Sequence, residues 1–293
     1  MAELMIHPPL RFLLWALGLA LLGLKLLDLY GQWRWHQKTQ TLYDRLGAEA
    51  SRSANRNPPR VDFRELQPLP EIVQRYLGQV LTEGQPLMTT VIAQHQGQFN
   101  LGAETPRWFP FTSQQRISLH PAGFVWNGRI TVLPGLVQIW VHDAYVEGEG
   151  ILTAALGGWA TLMTLRDRQT LAQGELQRFL AEAVWYPTAF LPSQGAIWTA
   201  MGENMAQVTL QEGSIVLEMT VEFNEQGLID RLSIHDRMRA VGKGFSPTHW
   251  ECRVWNYQRH GTLLIPQEGE VAWILPEGRY PYWRGTLTAL EYR

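Results

Sequence analysis

The 293 residues carry 45% hydrophobic and 18% charged side chains with a formal net charge of −2. Such a chain can bury a sizeable core but offers no basic field to gather phosphates, so nucleic acid is not an expected partner. The single cysteine, Cys252, excludes an internal disulfide and a thiolate zinc cluster.

Residues 12–29 are almost wholly apolar, about 18 residues or ~27 Å as a helix, enough to cross a bilayer core. Lys25 and Asp28 sit three apart near one end, where they can pair or snorkel, and Trp33 and Trp35 follow as an interfacial belt would. With no small-x-small cleavage site between residues 24 and 34, an uncleaved single-pass anchor is favoured over a removed signal peptide. Lys25, Arg34, Lys38 and Arg45 follow the span and only Arg11 precedes it. By charge count the domain stays cytoplasmic.

Residues 32–46 can continue the helix, and 47–67, with serines, asparagines and prolines among scattered arginines, reads as an exposed linker. The expected organisation is therefore an anchor with its extension (1–46), a linker (47–67) and one β-rich domain (68–293). Pro70 is a good first helical residue, and Ile72, Val73, Tyr76, Leu77 and Val80 make one apolar face.

Strand-like runs then cover 87–101, 111–119, 124–133, 137–146 and 150–156. One helix interrupts them at 170–184. Thr170 with Gln173 resembles a capping box, and Leu176, Phe179, Leu180, Ala183 and Val184 form its buried stripe. Strands resume at 196–201, 205–211, 215–223 and 228–238, and three more fill 250–293. In the first of those three, alternation puts Trp250, Cys252 and Val254 on one face and Glu251, Arg253, Trp255 and Tyr257 on the other. The short turns imply antiparallel pairing. The predicted fold is mainly β (α+β): an N-terminal transmembrane helix, then a curved antiparallel sheet of about ten strands, a half-barrel, wrapping the 170–184 helix.

The segments GELQRFLAE (174–182), WECR (250–253), GEVAW (269–273) and PYWRG (281–285) together resemble a bacterial family of membrane-anchored proteins catalogued as a domain of unknown function. That resemblance covers most of the chain after the linker and brings no activity, substrate or catalytic residues. A looser, architectural similarity is to the half-barrel of periplasmic lipoprotein carriers, which implies an extracytoplasmic domain against the charge count.

The chemistry candidates are few. His142 and Asp143 point to opposite strand faces and read as a solvated strand end with Glu147 and Glu149; His235 and Asp236 fail the same alternation test. His249 and Glu251 share a face but lack a third ligand, so no metal or other cofactor is expected. Glu251 and Arg253, flanked by Trp255 and Tyr257, form a structural ion pair or a headgroup contact, which Arg129, Glu270 and Arg284 could extend. The residues expected to meet a ligand are thus Glu251, Arg253, Trp255, Tyr257, Arg284 and Arg129. No Gly-x-Ser-x-Gly elbow or paired acids with diagnostic spacing occur, so enzyme is the weaker class. The leading expectation is a membrane-anchored domain binding an apolar or amphipathic ligand, a membrane lipid. The alternative is an interaction module docking on a membrane protein complex.

Overall fold

A strand whose alternate residues are apolar must hide one face, and here thirteen strands pair into a single sheet that curls to hide its inner one. The computed structural model describes residues 8–53, 59–102, 105–242 and 244–293. Six strands form one wing: β1 (Thr90–Asn100), β2 (Trp108–Ser118), β3 (Gly123–Leu133), β4 (Val137–Val146), β5 (Glu149–Leu156) and β6 (Ala160–Asp167). The other wing holds β7 (Ile197–Gly202), β8 (Met205–Glu212), β9 (Ile215–Phe223), β10 (Ile229–Val241), β11 (Gly244–His260), β12 (Leu263–Leu275) and β13 (Gly278–Tyr292). The order is β6-β5-β4-β3-β2-β1-β13-β12-β11-β10-β9-β8-β7, all antiparallel, so β1 and β13 join the wings and β6 and β7 remain as edges. The strand at 160–167 is additional to those expected from the sequence. Its side chains are exposed or half-buried throughout, as befits an edge, and this masks the one-sided alternation by which strands are recognised.

Between the wings runs α3 (Thr170–Glu182), continued by a 3-10 turn over Ala183–Trp185. It touches β3, β4, β5 and β6 on one side and β9 and β10 on the other, so the sheet curls around it. The expected stripe of Leu176, Phe179, Leu180, Ala183 and Val184 is buried, and Glu175 and Gln177 are buried with it. The expected capping box is replaced: Asp167 Oδ1 accepts from the backbone N–H groups of Gln169 (2.9 Å) and Leu171 (2.8 Å). A carboxylate one turn upstream reaches these orphan donors and complements the helix dipole, which Thr170 inside the helix does not. The short helix α2 (Glu71–Val80) buries all five residues expected of it.

The long helix α1 (Pro8–Ser53), about 69 Å at 1.5 Å per residue, has two unlike halves. Its most apolar 18-residue window has mean hydropathy 2.0 with none of it buried, and Lys25 pairs with Asp28 at 3.1 Å. From Gly31 onward the same helix lies on the outer face of β2, β3 and β4. Leu42, Tyr43 and Leu46 pack on Val125, Ala144, Val146 and Ile151, and Arg45 pairs with Glu147 (2.9 Å) and Glu149 (3.3 Å). Gly31 comes so close to the turn after β5 that a Cβ there would lie 2.2 Å from the Gly157 carbonyl oxygen.

Trp35 departs from the expected interfacial belt. It is 1% exposed, donates from Nε1 to Asn127 Oδ1 at 2.9 Å and stacks on His142 at 3.9 Å between centroids. Trp33, two residues earlier and so on the opposite side of the helix, remains 60% exposed. Within the expected linker, residues 54–58 lie outside the described residues. Val61 and Leu66 are buried in the main core, and Val61 exchanges backbone hydrogen bonds with residues 84 and 85.

The outer face of the second wing carries ion pairs instead of a helix. Glu251, nearly buried, accepts from Arg279 (2.7 Å), Arg253 (2.8 Å) and Arg231 (3.2 Å). Arg279 and Arg284 also grip Glu270, and Arg231 grips Glu222. Burial alone would raise the Glu251 carboxyl, but the hydrogen bonds from Arg279, Arg253 and Arg231 outweigh it and hold it below its ordinary 4.5.

Two outcomes follow. In urea unfolding of the full-length chain in detergent micelles, Trp35→Ala costs about 3–5 kcal/mol, because it leaves a cavity and an unpaired Asn127 amide. Trp33→Ala stays within about 0.5 kcal/mol. A carboxyl with a depressed folded pKa stabilises the protein above its unfolded value and loses that contribution as pH falls through the folded one. The wild type therefore weakens on acidification below 4.5, and Glu251→Gln, less stable at neutral pH, shows a flatter dependence over the same range.

A cavity between the wings

Period-two alternation aims one set of side chains from each wing at α3. From the first wing come Trp126 and Ile130 on β3 and Ile139, Val141 and Asp143 on β4; from the second come Trp250, Cys252 and Val254 on β11, Val271 on β12 and Trp283 on β13. Between them lies a cavity of about 460 Å³, floored by Arg178, Ala181 and Glu182 of α3. Two glycines make room for its tryptophans. A Cβ on Gly128 would sit 2.0 Å from the Trp126 ring, and one on Gly285 would sit 2.3 Å from the Trp283 ring, so each indole lies flat over a neighbouring glycine.

The cavity opens at one end of the sheet. Its lining residues Leu101, Leu162 and Met163 are exposed, and they lie toward the turns that follow β1, β3 and β5. Strand register puts the β10–β11 and β12–β13 turns at this same end. Gly31 and Arg34 of α1 meet the turn after β5 here as well, with Arg34 donating to the Trp159 carbonyl. Apolar side chains crowd the rim: Leu133, Leu136, Val241 and Phe245 are exposed on its hairpins.

Four acidic or basic side chains line the largely apolar wall: Asp143, Arg178, Glu182 and Arg237. Arg178 is fully engaged, donating to Asp143 Oδ2 at 2.6 Å and to Glu182 Oε1 at 2.7 Å. Gln115 donates to the other Glu182 oxygen at 2.6 Å. Burial works against the Arg178 charge, but Glu182 and Asp143 outweigh it and raise its pKa further. Glu175, behind them, is driven well above the carboxylate range by burial and by the Asp143 charge. Arg237 lies over the Trp250 ring at 4.5 Å.

Burial pushes the Cys252 thiol up to about 12, which keeps it protonated. Nearby on the inner face, His95 packs against Trp185 and Trp283, and burial lowers it to about 3. Among the described residues no group of three or more His, Cys, Asp or Glu is placed to hold a metal ion.

None of the six residues expected from the sequence to meet a ligand lines this cavity. Glu251, Arg253 and Arg284 belong to the outer ion-pair ladder. Trp255 faces outward with them, donating to Glu268 at 3.1 Å. Arg129 lies on the outer face of the first wing, over the Trp140 ring at 4.2 Å. Tyr257 follows Asn256, whose φ of 58° breaks the alternation, and it turns to the inner side, where its hydroxyl donates to the Ile229 carbonyl at 2.9 Å.

His142 and Asp143 do point to opposite faces, but they are no solvated strand end. His142 is buried under α1, its Nε2 2.7 Å from the Thr39 hydroxyl, and Asp143 pairs with Arg178 inside. The charged cavity groups that sequence reading could have found are Arg178 and Glu182, in one stripe with Glu175 behind them. These residues recur at helical spacing on a helix expected to lie wholly inside the sheet.

Three solved structures align with this chain at low scores. A Vibrio parahaemolyticus domain named for outer membrane lipoprotein sorting has a TM-score of 0.38 and 9% identity, covering 79% of this chain and 92% of that one. A LolA superfamily protein from Nitrosomonas europaea has a TM-score of 0.32 and 7% identity, covering 76% and 92%. A β-barrel-like protein of a domain of unknown function (DUF1849) from Brucella abortus has a TM-score of 0.20 and 14% identity, covering 71% and 99%. Identities and scores this low carry no information on ligand or partner. No curated protein matches the chain. Residues 67–292, most of the chain and all thirteen strands with it, match the family of unknown function DUF6920, and the chain belongs to that family.

Proposed function

We propose that this chain is a single-pass membrane-anchored protein that holds an apolar or amphipathic ligand, a membrane lipid, between the wings of its sheet. One observation carries the reading: a cavity of about 460 Å³, walled by aromatic and aliphatic side chains with a few convergent charges, opens at the sheet end where the exposed apolar half of α1 departs. That volume and that lining match a small-molecule site. A void of this size is also costly to leave unfilled in a soluble core, since packed interiors hold few gaps larger than a water.

The rim supports the same reading. With α1 continuous through Gly31 and Trp35, a bilayer around residues 12–30 lies next to the exposed Leu133, Leu136, Val241 and Phe245. A lipid then passes between membrane and cavity over an apolar edge. We place the domain on the extracytoplasmic side of the membrane. Arg34 and Arg45, which weigh against this in a charge count, are both engaged with the folded sheet.

A second reading, an assembly module on a membrane protein complex, draws on the open edge at β6, where Leu162, Met163 and Leu165 are exposed. An unpaired apolar edge is a template for strand addition by a partner. Two of those three residues also lie at the cavity mouth or its margin, which favours the lipid reading.

Native mass spectrometry of the full-length chain, isolated in its own membrane lipids, should show one lipid retained after the annulus is stripped. Ala154→Phe, which fills the cavity from β5, should lose most of it while the fold is kept by circular dichroism. Equal retention by the filled variant would overturn the proposal. For the anchor, alkaline carbonate should leave the protein in the membrane with residues 12–30 intact, and a C-terminal alkaline phosphatase fusion in a bacterial host should be active. Carbonate release contradicts the anchor, and an inactive fusion contradicts the side assigned.

A further inference from the structure

Resting on the reading that the cavity holds a lipid, its charges say what kind. Arg178 is matched by Asp143 and Glu182 within the wall. Arg237 is not matched: it lines the cavity at 8% exposure, makes no hydrogen bond or ion pair with any described residue, and its buried Nη1 has no acceptor. Its guanidinium is held over Trp250 at 4.5 Å and near Trp273 at 5.9 Å, contacts that fix its plane without neutralising its charge. The buried carboxyl of Glu175 forms no hydrogen bond or ion pair with it, and burial with the Asp143 charge raises that carboxyl well above the carboxylate range.

Backbone geometry aims Arg237 inward. In β10 the register against β11 slips between Ile234 and Arg237, so that His235 and Asp236 together oppose His249. One extra residue reverses the parity of alternation, and Arg237 joins Ile234 and Leu232 on the cavity side. Without the bulge it would stand outside, beside the arginines of the ladder. A buried guanidinium with an unused donor is destabilising unless an anion meets it, and bulges commonly re-aim a side chain at a site.

We propose that the cavity's ligand is an anionic amphiphile, a carboxylate or phosphate head on a single hydrocarbon chain, whose head pairs with Arg237 while the chain lies along the apolar wall. A fork of parallel N–H donors suits either oxyanion. A cavity of about 460 Å³ lies toward the lower end of ligand sites, which fits one chain better than several.

The test uses the full-length chain in nanodiscs of zwitterionic phosphatidylcholine. A fatty acid, a lysophosphatidic acid and a fatty alcohol of one chain length are each titrated and bound adducts counted by native mass spectrometry. At least one of the two anions should bind about ten-fold more tightly than the alcohol, the effect of roughly one charge-assisted hydrogen bond. Which anion it is separates carboxylate from phosphate. Arg237→Gln should erase that preference, bringing the anions down to the level of the alcohol, whereas Arg237→Lys should retain it. Equal binding of alcohol and anions by the wild type, or a preference that survives Arg237→Gln, overturns the proposal and leaves the lipid cavity standing. If none of the three binds, the cavity reading itself fails. Should Arg237→Gln fail to fold, the wild-type comparison and Arg237→Lys still decide.

Discussion

Trp35 sits where the apolar helix meets the sheet, and its contact sets the geometry of everything else. Its indole stacks on the His142 ring at 3.9 Å, its N–H reaches Asn127 at 2.9 Å, and Trp140 closes the side at 6.0 Å. Burial lowers His142 to about 3, so the ring meeting the indole is neutral and no charge is desolvated beneath the helix. Since α1 is one uninterrupted helix across this contact, there is no hinge between the apolar half and the docked half. The orientation of the sheet relative to the apolar helix is thereby fixed, and with it the direction in which the cavity opens.

The inner face is governed by the opposite problem. A sheet of thirteen strands curls because each pair is twisted, and the concavity must be filled. α3 fills it only in part and is buried on nearly every side, which brings Glu175, Arg178 and Glu182 into the interior. Replacing a buried ion-pair cluster by apolar residues is often neutral or stabilising, and filling a void nearly always is. Arg178 with its two carboxylates, an unmatched Arg237 and an open cavity therefore depart from maximal stability at one place. Such local conflicts mark functional sites more often than structural accidents.

Sequence periodicity made the scaffold legible because burial here is one-sided over long runs. Residues 215–223 alternate as expected, and the five apolar residues of α2 are the five that are buried. What stayed hidden depends on single-residue events. The slip between Ile234 and Arg237 and the left-handed Asn256 each invert parity, moving Arg237 and Tyr257 inward. Counting by twos along β10 from Ile234 sends Arg237 outward, so no residue in the sequence advertises it as a cavity group. Glu251 and Arg253 are conspicuous by chemistry and correctly assigned to the face opposite Trp250. That face turned out to be the convex one, because the side a sheet curls toward follows from how the wings close on α3, which no local pattern encodes. Trp35 was hidden for a similar reason: a tryptophan just past an apolar span looks alike whether it meets headgroups or a sheet.

The cavity's walls are far apart in sheet order, β3 to β6 against β10 to β13, and they are linked through β2, β1 and the packing of α3. In a closed barrel the strand number and stagger fix the interior width. Here β6 and β7 are free edges, so the width depends on how tightly the sheet curls, and small changes of twist shared among many strand pairs can open the wings without breaking a ladder hydrogen bond. The outer face limits that motion unequally. On the first wing α1 clamps β2, β3 and β4 from outside, while on the second the ladder of Glu222, Arg231, Glu251, Arg279 and Glu270 crosses strands through side chains. A long charged side chain follows a change of twist more readily than a packed helix does. The wing bearing Arg237 is therefore held from outside by side chains, and the wing docked on α1 by a packed helix.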